Sequence, residues 1–243
     1  MLTLIISLMA TFFWGPTEDM IVPTPEVAFL MHRDDSGLCQ AHRVGIPEQQ
    51  IIEFARQFGD PEKIFIDCGA HMGVYSVLLA DEFAAVFAFE AQKRTFMQLC
   101  GNIFINEKEN IEAIHAGVSY PEDHGSVRCL TIVSEDGGGS TFCETNQKAL
   151  NRNQCQMVAL DQLNIANQDV GLIKLDVEGW ELNALKGAET ILEASRPPLI
   201  FESNSGRENY TLRLELFGFL QERGYEIQKL QPFDNMFFAL PKQ

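Results

Sequence analysis

From Lys63 onward the chain alternates short apolar runs with segments of helical periodicity. Ile64-Phe65-Ile66 closes at Asp67, and Tyr75 to Ala80 follows as a helix. Ala85 to Phe89 closes at Glu90, and Thr95 to Ile105 is helical. Ile111 to Val118 reads as a third strand and Gly171 to Val177 as a fourth; Trp180 to Leu192 is a helix, and Leu199 to Phe201 is a fifth strand ending at Glu202. Short, wholly apolar strands joined through helices are buried on both faces. The pattern therefore predicts an α/β fold, a doubly wound, mostly parallel sheet with helices on both faces. A helix over Leu212 to Arg223, then strands over Tyr225 to Leu230 and Met236 to Leu240, would add an antiparallel C-terminal strand pair.

Upstream, Pro47 to about Phe58 is expected to be a helix, with Pro47 in its first turn and Ile51, Ile52, Phe54, Ala55 and Phe58 at helical spacing. Val27 to His32 and Leu38 to Val44 read as strands about a turn at Asp34-Asp35-Ser36-Gly37. Residues 1–46 are thus expected to be an N-terminal extension packed on a single domain, 47–243. Leu2 to Trp14 is mostly apolar but is broken by Thr3, Ser7 and Thr11 and stops at Gly15-Pro16. That is short of the roughly 20 residues a spanning helix requires. The first Lys or Arg is Arg33, which does not suit a signal peptide. The stretch is expected to be a buried strand or helix rather than a membrane anchor. Residues 119–157 interrupt the alternation with two turn-rich stretches, Pro121 to Gly125 and Asp136 to Ser140, and such an insertion is usually functional.

Composition narrows the function classes. The chain has 243 residues, 46% hydrophobic and 21% charged, enough for one full core. Its 18 Lys and Arg against 34 Asp and Glu give a net charge of −16, with no basic run. Nucleic acid and anionic lipid are disfavoured as partners. Cys39, Cys68, Cys100, Cys129, Cys143 and Cys155 form neither a CxxC pair nor a zinc spacing, which suits free thiols in a reducing cytoplasm.

The strand ends carry the chemistry. Asp67, Glu90, Asp176 with Glu178, and Glu202 form an acidic rim where open α/β sheets bind ligands. In Asp67-Cys68-Gly69-Ala70-His71-Met72-Gly73 the glycines permit a tight turn, and the helix start presents free N–H groups. His71 breaks the GxGxxG pattern, which opposes a nicotinamide dehydrogenase. Glu90, 23 positions after Asp67, can accept both hydroxyls of a ribose. The combination suits a nucleoside-bearing cofactor without a pyrophosphate, such as S-adenosylmethionine. Lys174 and Asp176 are expected on one face of their strand, where a buried Lys would be held as an ion pair at the sheet's end, with Glu178 and Glu181 then complementing the next helix N-terminus. A structural and a catalytic role for this cluster both stay open.

These segments resemble the FkbM-type methyltransferases, which have the Rossmann-like class I S-adenosylmethionine-dependent fold and act mostly on hydroxyl oxygens. The resemblance is carried over roughly residues 62–204 by Phe65 to Gly73, by Phe87 to Ala91 with Asn102 and Asn106, by Val158 to Leu163, and by Ile173 to Leu182 with Leu185 to Ala188. Lys174-x-Asp176-x-Glu178-Gly179-x-Glu181 is the most specific of these. His71 and Ala91 depart from the family, which more often has Asn and Pro there.

The resemblance implies that Asp67, Gly69 and Gly73, with Ala70 and His71 in the same loop, shape a methionine pocket. Glu90 would hold the ribose, Asn102 would sit near the cofactor or support its loop, and Gly117, Val118 and Ser119 would line the adenine. Glu178 and Asp176 would stand beside the acceptor hydroxyl as base or metal ligands, with Lys174 paired to Asp176. Asp176, Glu202 and Asn204 occupy the strand ends where catechol O-methyltransferase-like enzymes hold Mg2+. The expected activity is O-methylation of a sugar, glycan or small natural product, with residues 16–46 and 119–157 building the acceptor side. The alternative is a catalytically silent cofactor-binding or partner-binding protein of the same fold.

Overall fold

The computed structural model describes residues 20–23, 27–31, 48–134, 138–143, 148–203 and 210–242. In chain order the elements are β1 (Met20–Pro23), β2 (Ala28–Met31), α1 (Gln49–Arg56), β3 (Asp60–Cys68), α2 (Val74–Leu79), β4 (Phe83–Phe89), α3 (Lys93–Ile105), β5 (Ile111–Ile114) and β6 (Gly117–Val118). They continue with β7 (Val127–Ile132), β8 (Asn151–Val158), β9 (Val170–Leu175), α4 (Glu181–Lys186), α5 (Glu189–Ala194), β10 (Leu199–Glu202), α6 (Tyr210–Glu222), β11 (Tyr225–Lys229) and β12 (Met236–Pro241).

Seven strands form the central sheet in the order β11-β12-β10-β9-β3-β4-β5. The β10-β9-β3-β4-β5 portion is parallel, and β12 joins β10 and β11 antiparallel, as the chain's pattern predicts. Two apolar layers follow from the period of two along each strand. Ile64, Ile66, Phe87, Phe89, Ile173, Leu175 and Phe201 pack under α4, α5 and α6. Phe65, Val86, Leu172 and Ile200 pack under α1 and α2. No helix among the described residues is long and apolar enough to cross a membrane.

Three expectations change in the folded chain. The helix expected over Trp180 to Leu192 is two helices, α4 and α5, broken at Gly187. A side chain at Gly187 would fall on the carbonyl of Ser119, so the backbones meet there. The carboxylate of Asp161 caps the second helix, accepting the N–H groups of Thr190 (2.8 Å) and Ile191 (3.2 Å). The strand expected over Ile111 to Val118 splits, because β6 leaves the main sheet to pair in parallel with β8. The 119–157 insertion is not one long loop but carries an antiparallel hairpin, β7 with β8. The N-terminal strand β2 pairs with β1; the strand expected over Leu38 to Val44 and its turn lie outside the described residues, as does Leu2 to Trp14.

The β1–β2 hairpin is clasped to α3 by side-chain amides. Asn102 accepts the N–H of Leu30 (2.6 Å) and donates to the carbonyls of Met72 (2.7 Å) and Leu30 (3.3 Å). Asn106 bonds both backbone groups of Ala28, accepting at 2.9 Å and donating at 2.7 Å. Asn102 therefore supports the 69–73 loop from behind and couples it to the N-terminal segment. Asn102→Leu leaves buried backbone groups unpaired, at about 1–3 kcal/mol each. The variant is expected to lose about 2 kcal/mol in urea unfolding, and an unchanged midpoint would show that the clasp contributes nothing.

Candidate active site

Beyond the carboxyl ends of β3, β4 and β9 lies a cavity of about 350 Å³. Its floor is the turn after β3, where Gly69, His71 and Gly73 all have positive φ (76°, 53° and 91°). The N–H groups of Gly69 and Ala70 both donate to the carbonyl of Phe89 at 2.9 Å, which folds the turn over β4. A side chain at Gly69 would fall on the carbonyl oxygen of Asp176, so only glycine lets this loop meet the end of β9. At Gly73 a Cβ would lie 2.5 Å from Leu99 Cδ1.

Lys174 holds this corner together. It is 3% exposed, its Nζ donates to the carbonyl of Gly69 at 2.9 Å, and it lies 3.4 Å from Asp176 and 3.7 Å from Asp67. Burial acts to lower its pKa, but Asp176 and Asp67 outweigh that and raise it above the ordinary lysine value. Asp67, wholly buried, accepts the Ser76 hydroxyl at 2.6 Å. Its own pKa is raised by burial against the pull of Lys174. Asp67 thus stands behind the wall as the partner of Lys174 and not as a lining group.

Glu90 bridges two loops. Its carboxylate accepts the N–H groups of His71 (2.9 Å) and Gln92 (2.8 Å). Burial raises its pKa, with His71 and those N–H bonds opposing. A carboxylate has about four lone-pair sites. Two taken by backbone leave capacity for two ligand hydroxyls.

At the other pole Asp176, Glu178 and Glu202 bring one oxygen each within 4.8 Å of one another. Burial, then Asp176 and Glu178, push the Glu202 carboxyl up to about 9, and Asn235 donates to it. Glu178 is raised by burial and then by Asp176. It has a left-handed backbone (φ 53°), its Oε1 accepts the Gly139 N–H at 2.8 Å, and its carbonyl accepts the Thr141 hydroxyl at 2.7 Å. Glu181 accepts the N–H groups of Val177 (3.2 Å) and Gly179 (3.1 Å), and burial pushes its carboxyl up to about 7.

Of the residues singled out in the sequence, Gly69, Ala70, His71, Glu90, Gly117, Val118, Lys174, Asp176 and Glu178 line the cavity. Gly73, Asn102 and Ser119 stand behind it. Ser119 accepts the Trp180 indole N–H at 3.1 Å and donates to Asp123 at 2.7 Å. Glu202 adjoins Asp176, and Asn204 lies outside the described residues. The sequence reading missed Glu48, Tyr75, Phe142 and Trp180, which also line the cavity. Glu48 accepts the Tyr75 hydroxyl at 2.7 Å, and the Tyr75 ring lies 5.1 Å from Lys174 Nζ. Trp180 sits inside the most specific motif and could have been found there. Glu48 and Phe142 carry no local signal.

Such a cavity at the strand ends of a doubly wound sheet defines a Rossmann-like ligand-binding domain. The methyltransferase FkbM domain matches residues 67–227. The chain therefore belongs to the FkbM methyltransferases, and those residues are its methyltransferase domain. The FkbM methyltransferase of Methylobacillus flagellatus KT superposes with a TM-score of 0.52 at 19% identity, over 74% of this chain and 44% of that one. This chain thus spans less than half the length of that relative. A putative caffeoyl-CoA O-methyltransferase from Staphylococcus aureus gives 0.51 at 12% identity, over 84% of this chain and 89% of that one. An rRNA methylase from Streptococcus thermophilus gives 0.50 at 15% identity, over 81% and 97%. No curated protein matches the chain. These likenesses bear on the fold alone.

The raised carboxyls set a pH dependence. A folded-state pKa above the unfolded value means that the folded state holds the proton more tightly, so its stability is complete below the unfolded pKa and is lost as pH rises through the folded one. With Glu181 near 7 and Glu202 near 9, against an ordinary 4.5, the melting temperature in EDTA should fall steadily from about pH 5 to about pH 9. Glu202→Gln should flatten the upper part of that fall. A wild-type profile flat across this window would contradict the assignment.

Proposed function

We propose that the domain transfers a methyl group from S-adenosylmethionine to a hydroxyl of a sugar, glycan or small natural product. The observation that carries this reading is the graded polarity of the cavity along the rim. The β9 and β3 ends are charged, with Asp176 and Lys174, and Glu90 follows at the end of β4. Beyond β5 the wall turns apolar at Ala116, Gly117 and Val118. A methionyl zwitterion, a ribose and an adenine fit that order. The walls carry more carboxylate than ammonium, which favours a sulfonium over an anionic ligand.

When bound, this cofactor supplies an electrophilic methyl carbon. The protein's own work is positional. Gly69 and Lys174 fix the floor, Glu90 orients the ribose, and the cavity walls align the reacting groups. An acceptor oxygen at the acidic pole would form the new C–O bond as the C–S bond breaks. Its proton passes to Glu178, which lines the cavity and which burial and then Asp176 make more basic than an ordinary glutamate. Asp176, paired with Lys174, orients the acceptor. Asp176, Glu178 and Glu202 are also the oxygen set that Mg2+ would prefer. In this reading a proton on Glu202 relieves their repulsion instead, and turnover persists in EDTA.

Two further points support a small acceptor in the cytoplasm. A chain of charge −16 repels RNA, the substrate class named for one structural neighbour. Cys68, Cys100, Cys129, Cys143 and Cys155 are all free thiols.

The first test is calorimetric titration with S-adenosylhomocysteine, with NAD as control. Wild-type protein should bind the former in the micromolar range and NAD not at all. Glu90→Ala and Gly69→Val should each weaken binding by about a hundredfold or more. Binding of neither ligand by the wild type would overturn the methyltransferase reading. A second test separates binding from chemistry in a methyl-transfer screen over hydroxyl acceptors, run with and without EDTA. Glu178→Gln keeps an acceptor for the Gly139 N–H, so it should bind the cofactor normally while losing about 10²–10⁴-fold in transfer. Full activity in this variant would remove Glu178 as the base.

A further inference from the structure

Residues 138–143 cross the cavity as a strap tied to both of its lips. On one side the Ser140 hydroxyl donates to Gln92 Oε1 at 3.0 Å, and the Gln92 N–H in turn donates to Glu90. On the other side Gly139 and Thr141 bond the side chain and carbonyl of Glu178, and Cys143 Sγ donates to the Gly179 carbonyl at 3.5 Å. Thr141 also pairs with Thr131 of β7 through two backbone bonds of 3.0 Å, which anchors the strap to the hairpin of the insertion.

The strap delivers one large side chain to the apolar end of the cavity. Phe142 is half-buried and lines the cavity, and a Cβ added at Gly117 would lie 2.7 Å from its Cε2. Its ring lies 6.0 Å from that of Trp180, at 57°. This places a tilted aromatic corner beside Gly117, with Phe142 carried between the strap residues that bond Glu178 and Gly179.

We propose that the strap is a cofactor-binding element and that Phe142 packs on the adenine of S-adenosylmethionine. The inference rests on the methyl-donor reading above and deepens it. It gives at least part of the 119–157 insertion to the cofactor rather than to the acceptor. It also gives Glu178 a second task, because the same side chain receives the strap's Gly139 N–H. The strap and the acidic pole are therefore set together. The aromatic face meets the purine beside the apolar wall of Ala116, Gly117 and Val118, while the Arg128 guanidinium, paired with Asp123, packs on Trp180.

The test is the affinity of wild type, Phe142→Ala and Phe142→Tyr for S-adenosylhomocysteine and for adenosine, with melting curves confirming that each variant is folded. Stacking of a base on an aromatic side chain is commonly lost at about tenfold or more on truncation to alanine. Phe142→Ala should therefore weaken both ligands by about tenfold, and Phe142→Tyr should restore both to within about twofold. A folded Phe142→Ala variant that binds both ligands as wild type does would overturn the proposal. If that variant does not fold, Ser140→Ala, which frees the strap from Gln92, should weaken S-adenosylhomocysteine about threefold, and no change would overturn it. Wild-type protein that binds neither ligand would instead sink the methyl-donor reading itself, and this inference with it.

Discussion

A lysine ammonium cannot stay charged in a protein interior without compensation, and Lys174 is compensated from three directions at once. Asp67 comes from the adjacent strand at the register position opposite Lys174, Asp176 from just beyond the end of its own strand, and the Gly69 carbonyl from the loop that follows Asp67. Each partner fixes a different piece of backbone. Together they hold the end of β9, the end of β3 and the turn after β3 in one arrangement. That arrangement needs a glycine at 69, because the loop closes directly on the Asp176 carbonyl. The floor of the cavity is thus a consequence of one buried charge.

Around this corner the site is built from shared groups. Glu90 is held by the loop of its neighbour and in turn holds Gln92, and Gln92 accepts from the strap. Asn102 satisfies the N-terminal hairpin and the Met72 carbonyl together. Glu48 enters from outside the matched domain to meet Tyr75, whose ring faces Lys174. Buried polar networks of this kind specify a geometry because each unsatisfied member would cost more than the network's net gain. Their energetic role is uniqueness more than bulk stability, which the two apolar layers on the sheet supply.

The acidic pole follows a different logic. Three carboxylates crowded at adjacent strand ends cannot all ionise without cost, and the proton on Glu202 relieves the repulsion. Glu178 sits in the same cluster yet is turned by its left-handed backbone toward the strap. One residue thereby joins the electrostatics of the pole to the covering of the cavity.

The sheet and the rim were legible in the chain itself. Strand length, apolar runs and a carboxylate closing four of the five runs are local properties, and parallel strands buried on both faces write them plainly. The Gly69–Gly73 turn, Glu90 and the Lys174–Glu181 motif lie next to such strands and were found for that reason. What remained hidden depended on contacts between segments far apart in sequence. The break at Gly187 is set by a carbonyl of Ser119 and a cap from Asp161. The hairpin of the insertion replaces an apparent loop because two segments far apart in sequence pair their backbones, from Val127 opposite Gln156 to Ile132 opposite Asn151. Glu48 and Phe142 reach the cavity from segments whose patterns announce no ligand. The sequence by itself determined the layer architecture and the chemical character of the rim, since both follow from periodicity and residue type. Only the tertiary structure decided which buried charges face one another and which distant loop covers the site, because those are long-range choices made by packing and by the pairing of buried polar groups from distant segments.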